Sequence, residues 1–207
     1  MPLPLVHLTI SEHMFRRKGE EANTAFLLGS ISPDAIHMRE NTTREHKLKT
    51  HFDIKDSNSV EELFQKMRSF IHDAGDGSER MFALGYASHV LTDFLWTHSL
   101  YETFTREASD AQHEDLRSLY YAETDQIDYI LYRDEPWRAQ VWVDLKQCAP
   151  CHAPGLLSAD EVERWKLRVI GWHDQLEQAP TYEPKYFTEM RVRAFIEETA
   201  ERLSRLL

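Results

Sequence analysis

From Leu84 to Tyr101 the chain reads LGYASHVLTDFLWTHSLY, an apolar run interrupted by His89, Asp93 and His98. It lacks the two-residue alternation of a half-buried strand, and its length suits a buried helix. A fold built around such a segment has a helical interior. Ionisable side chains there need partners, because a polar group taken out of water without one is destabilising. The three residues are therefore satisfied core groups, an acid/base set, or ligands of a metal ion.

The rest of the sequence repeats the helical period. Ser59-Val-Glu-Glu62 has the pattern of a reciprocal N-terminal cap, followed by an apolar stripe of Leu63, Phe64, Met67, Phe70 and Ile71. Asp73 to Gly77 ends that helix with turn residues. Further helices are expected at roughly 78–103, 112–133, 137–146, 158–178 and 185–206, with Ser158-Ala-Asp-Glu161 as a second cap. The longest polar connection, Glu40 to Asn58, reads as a loop. With no repeat and no strand alternation, the sequence predicts an all-α, single-domain multi-helix bundle over residues 1–207.

Composition narrows the function. The formal charge is −11, with 35 acidic residues against 24 Lys and Arg. That argues against nucleic acid binding, which needs clustered cations. A small anionic substrate remains compatible if bound metal reverses the local field. No apolar run reaches a membrane span, and the N-terminal stretch lacks the pattern of an export signal, so the sequence reads as cytoplasmic. Cys148 and Cys151 are too few for a disulfide scaffold. With His152 they match a haem-attachment pattern, but the reading preferred here is a Pro-containing turn between helices.

His89 and Asp93 stand at i, i+4, about 40° apart on a helical wheel, so both reach one ion. His98 lies about 180° from His89 and shares that ion only if the helix distorts or ends first. In GSISPDAIH, Ser32 is a candidate N-cap, Pro33 a first helical residue and Asp34 a first-turn carboxylate. His51 follows a basic stretch, and His7 sits among Leu3, Leu5, Val6, Leu8 and Ile10.

Four segments, VHLTI, GSISPD, THFDIKD and ALGYASHVLTD, together resemble the zinc-dependent phospholipase C family, whose α-helical fold is shared with certain single-strand-specific nucleases. The resemblance runs from about residue 4 to 130. It implies metal ligation by Asp34, His51, His89 and Asp93, with Asp93 bridging to a second ion held by His7. It further matches His98 to a histidine of a third site, and Glu123 to the glutamate of a His-x-x-x-Glu pair whose histidine is here Leu119. One or two Zn2+ ions are expected, and the same ligands also accept Fe, Mn or Ni. The implied activity is metal-dependent hydrolysis of a small phosphoester or phospholipid-like substrate, with Asp34 the candidate general base. His37, three residues after Asp34, and Arg39 are the candidate substrate-binding groups. Alternatives are a non-catalytic metal-binding or interaction protein that retains the fold, and a nucleotide hydrolase with an unrelated His/Asp site. Trp96 reads as core, and His113, His173, Trp137, Trp142, Trp165 and Trp172 as packing or surface residues.

Overall fold

A computed structural model describes residues 2–175 and 180–207. Helix α1 (Pro4–Lys18) begins with proline at its first position and ends on Gly19 in the left-handed conformation. Then come α2 (Thr24–Ile31), a 3₁₀ segment (Ser32–Met38), α3 (Arg44–Thr50), α4 (Val60–Asp73) and α5 (Gly77–Trp96). A π-helical turn (Thr97–Tyr101) joins α5 to α6 (Glu102–Asp110) without a break. Helices α7 (Leu116–Asp134), α8 (Arg138–Gln147), α9 (Ala159–Asp174) and α10 (Glu189–Leu206) complete the bundle. The described residues form no strand, only an isolated bridge between Ala153 and Leu157. The all-α expectation holds; residues 176–178 of the expected 158–178 helix lie outside the described residues.

Three helices are buried on nearly every side: Leu5–Ser11 in α1, Ala25–Ile31 in α2 and most of Phe82–Phe94 in α5. They carry few charges because no face of them meets water. Helix α1 runs through the middle, against α2, α5, α7 and α10. Helices α2 and α5 approach backbone to backbone at Gly29 and Gly85. A Cβ at Gly29 would collide with the Phe82 carbonyl, and one at Gly85 with the Phe26 carbonyl. Gly85, His89 and Asp93 recur every four residues, so the face that admits α2 also carries the two polar side chains.

Local chemistry departs from the sequence reading at several points. Glu40–Asn58 is not one loop: Thr43 and His46 cap each other's backbone at 3.3 Å and nucleate α3. Ser32 does not cap; its hydroxyl donates to the Leu28 carbonyl at 2.6 Å, and the following segment winds as 3₁₀. Ser59 accepts from the Glu62 amide, but Glu62 turns to Asn58 instead of closing the box. The Ser158–Glu161 box forms in both directions. The helix expected over 78–103 passes through the π turn and continues as α6 to Asp110.

Candidate metal centre

Five side chains from four segments converge in the interior: His7 from α1, Asp34 from the 3₁₀ segment, His51 from the end of α3, and His89 and Asp93 from α5. The α2–α5 contact at Gly29 and Gly85 brings the Ser30 carbonyl to His89, whose Nδ1 lies 2.8 Å from it. His51 Nδ1 faces the Lys47 carbonyl at 2.9 Å, one helical turn back. A carbonyl only accepts, so Nδ1 carries the proton in both rings and each Nε2 presents a lone pair inward. His7 stacks on His89 with ring centroids 3.9 Å apart and planes within 10°.

The inward atoms stand apart. Asp93 Oδ2 is 3.5 Å from His51 Nε2 and 3.7 Å from His89 Nε2, while its Oδ1 is 3.6 Å from His7 Nε2. Asp34 Oδ1 is 3.6 Å from His51 Nε2, and Asp34 Oδ2 is 4.0 Å from His89 Nε2. All exceed good hydrogen-bond lengths. The three Nε2 atoms, Asp34 Oδ1 and both Asp93 oxygens are buried and have no hydrogen-bond partner among the described residues. Four donors about 2.0–2.1 Å from a zinc ion stand roughly 3.3–3.4 Å apart at tetrahedral angles, close to this spacing. Two sets suit a metal: His7, His89 and Asp93, and Asp34, His51 and His89. The donors therefore fit an ion of the zinc type.

Burial dominates the electrostatics. It raises the Asp93 carboxyl to about 6 and lowers the His51 imidazole to about 3. His7 is likewise pushed well below the usual imidazole value, by burial first and by the charge of His89 second. Burial alone would raise Asp34, but His89, His51 and Lys47 outweigh it and hold that carboxyl below the usual range. Neutral imidazoles around an ionised carboxylate are the forms a metal requires.

Asp34 is the cluster member that also lines a cavity of about 1010 Å³, together with His37, Lys47, Tyr121, Trp165 and Trp172. His37 Nε2 stands 3.7 Å from Asp34 Oδ1 and accepts from Lys47 Nζ at 3.2 Å. The other sequence candidates are not brought to this centre. His98, in the π turn, is half exposed and pairs with Glu102 at 2.8 Å. The Glu123 carboxylate accepts the backbone amides of Lys185, Tyr186 and Phe187 at 2.8–3.0 Å, anchoring the segment before α10. Arg39 grips Glu161 through Nε and Nη2 at 2.6 and 3.0 Å, and also reaches the Leu156 carbonyl, tying the Asp34 segment to α9. Trp96 is buried, as expected, and donates to the Tyr120 hydroxyl. The sequence reading did not find the buried Asp128–His173 pair, at 3.1 Å, in the cavity wall. Its partners lie 45 positions apart, so no local pattern announces them.

Against known proteins, a family model described as zinc dependent phospholipase C matches residues 6–176. No curated protein and no solved structure gives a significant match. No helix among the described residues is long and apolar enough to cross a membrane.

Proposed function

The chain belongs to the zinc dependent phospholipase C family, and from that premise we propose that it hydrolyses phosphoesters at a zinc centre built from His7, Asp34, His51, His89 and Asp93. One observation carries the reading: these buried side chains turn unpaired polar atoms toward one another at 3.5–4.0 Å. A purely structural cluster closes such atoms with hydrogen bonds.

Asp34, His51, His89 and Asp93 Oδ2 would hold one ion, and His7 with Asp93 Oδ1 would hold part of a second. Bound zinc lowers the pKa of a water toward neutrality and draws electron density from a phosphoryl oxygen. The carbonyls of Ser30 and Lys47 lock the His89 and His51 rings, so both donors stay aimed at the centre. Asp34 faces the substrate cavity, where it orients the attacking water and accepts its hydrogen bond. His37 flanks Asp34 on the cavity side and meets the ester. The substrate is a small phosphoester or a phospholipid headgroup.

The test is elemental analysis of wild type beside His89→Ala, with hydrolysis of p-nitrophenyl phosphoesters before and after chelation. Bound zinc that His89→Ala loses, and turnover that returns when zinc is restored, are the expected results. Stoichiometric zinc without turnover across a broad phosphoester panel would favour a non-catalytic metal-binding protein. A folded wild type that takes up no zinc would sink both readings.

A further inference from the structure

The cavity beyond the His/Asp cluster is far larger than one phosphoryl group needs, at about 1010 Å³. Its charge pattern also differs from the molecule around it. The chain as a whole is strongly acidic, at −11. Yet Lys47, Arg117 and Arg168 line this wall and balance its three carboxylates, Asp34, Asp125 and Asp128. Asp128 has a partner in His173 and Asp34 faces Lys47, which leaves Asp125 as the carboxylate of the lining beside the two arginines.

These cations occupy different parts of the wall. Lys47 Nζ lies 3.7 Å from Asp34 Oδ1, so its ammonium sits where the cavity meets the cluster. Arg117 comes from the first turn of α7, and Arg168 from α9. Among the described residues neither guanidinium has a carboxylate within ion-pair distance. Each lies near an aromatic ring instead, Arg117 at 5.9 Å from the Tyr121 centroid and Arg168 at 5.9 Å from that of Trp165.

That placement discriminates between ligands. A ligand ammonium would look for an aromatic face, but arginines already attend the Tyr121 and Trp165 faces and would repel it. A second anion meets guanidinium forks that match the geometry of a carboxylate or phosphate. Resting on the phosphoester reading above, we propose that the cavity takes a phosphoester bearing a second acidic group. Lys47 receives the phosphoryl oxygens at the cluster, and Arg117 and Arg168 receive the distal carboxylate or phosphate. The distal anion belongs either to a free metabolite-sized diacid or to an acidic lipid headgroup, two sources with the same chemistry.

The test measures binding through tryptophan fluorescence, since Trp165 and Trp172 line the wall. Propyl phosphate and 1,3-propanediol bisphosphate are titrated into zinc-loaded and metal-free protein. The bisphosphate should bind about tenfold tighter, the difference expected from one additional charge-assisted contact. Replacing both arginines, Arg117→Gln and Arg168→Gln, should abolish that preference, whereas Lys47→Gln should weaken both probes alike. Equal binding of the two probes by wild type, or a preference that survives both arginine substitutions, would overturn the proposal. Failure of the zinc reading looks different: no zinc uptake and no turnover, with the bisphosphate preference intact in metal-free protein. Co-sedimentation with phosphatidate-containing vesicles, but not with plain phosphatidylcholine vesicles, would support the proposal with a lipid source. Bisphosphate binding without vesicle binding would support it with a soluble source, and absence of both would overturn it.

Discussion

Two buried histidine–carboxylate groups stand near one cavity and behave in opposite ways. Asp128 and His173 are closed: Nε2 meets Asp128 Oδ2 at 3.1 Å, Nδ1 faces the Val169 carbonyl at 3.2 Å, and Asp128 Oδ1 accepts the Leu5 amide at 2.8 Å. Both ring nitrogens face acceptors, so this histidine is held as an imidazolium that ties α9, α7 and the start of α1 together. The cluster of His7, Asp34, His51, His89 and Asp93 is braced from behind by backbone carbonyls, while its inward atoms find no hydrogen bonds among the described residues. Residue type and burial are the same in both groups. The difference lies in whether the protein itself satisfies the polar atoms, and that separates a staple from a binding centre.

The sharpest way to break this comparison is Asp93→Asn, because Asp93 is fully buried and touches three histidines of the cluster. Zinc affinity should fall by more than about a hundredfold, beyond the range typical of changes behind the ligands. Stability in chelator should hold or rise, since the substitution removes a buried charge with no hydrogen bond. Zinc competition assays and urea denaturation read the two quantities. A large loss of metal-free stability would place Asp93 with the staples.

Closed groups should show the reverse pattern. Glu123→Ala leaves three backbone amides without their acceptor, so it should destabilise by about 3 kcal/mol or more while zinc content is retained. Asp128→Asn should destabilise by about 2 kcal/mol at mildly acid pH. Burial opposes protonation of His173, but the hydrogen bond and charge of Asp128 outweigh it and raise the pKa above the ordinary 6.5. A raised histidine pKa contributes its full stability below 6.5 and loses it as pH climbs through the native value. The gap between wild type and Asp128→Asn should therefore narrow as pH climbs above 6.5, as read by denaturation at each pH. A gap independent of pH would show that the pair carries no charge.

How much of this was legible in the sequence depends on the distance over which each group finds its partner. The helices were readable because apolar period and caps such as Ser158–Glu161 are local. His89 and Asp93 were readable as a pair because one turn of α5 separates them. Helix α3 stayed hidden because its cap uses His46 where the familiar pattern has Glu or Gln. Asp34, His51 and His7 were assigned as ligands through the family resemblance alone, since nothing local shows that Gly29 and Gly85 let two backbones touch and bring these segments together. Glu123 shows the limit of motif matching: its partners lie 62 to 64 positions away, and they are amides.

His98 offers the smallest effect and a check on the helical-wheel argument. The wheel set it opposite His89 unless the helix distorted, and the helix does distort, into the π turn Thr97–Tyr101. The extra residue in that turn still leaves the ring at the surface, against Phe94 at 4.4 Å and paired with Glu102, with His98 and Glu102 each more than half exposed. An exposed pair one turn apart on a helix contributes little. His98→Ala should thus change stability by no more than about 0.5 kcal/mol and leave zinc stoichiometry unchanged. Loss of an equivalent of zinc in this variant would mean that the π turn rearranges when metal binds, carrying His98 inward, and the centre would then extend beyond the five residues that converge here.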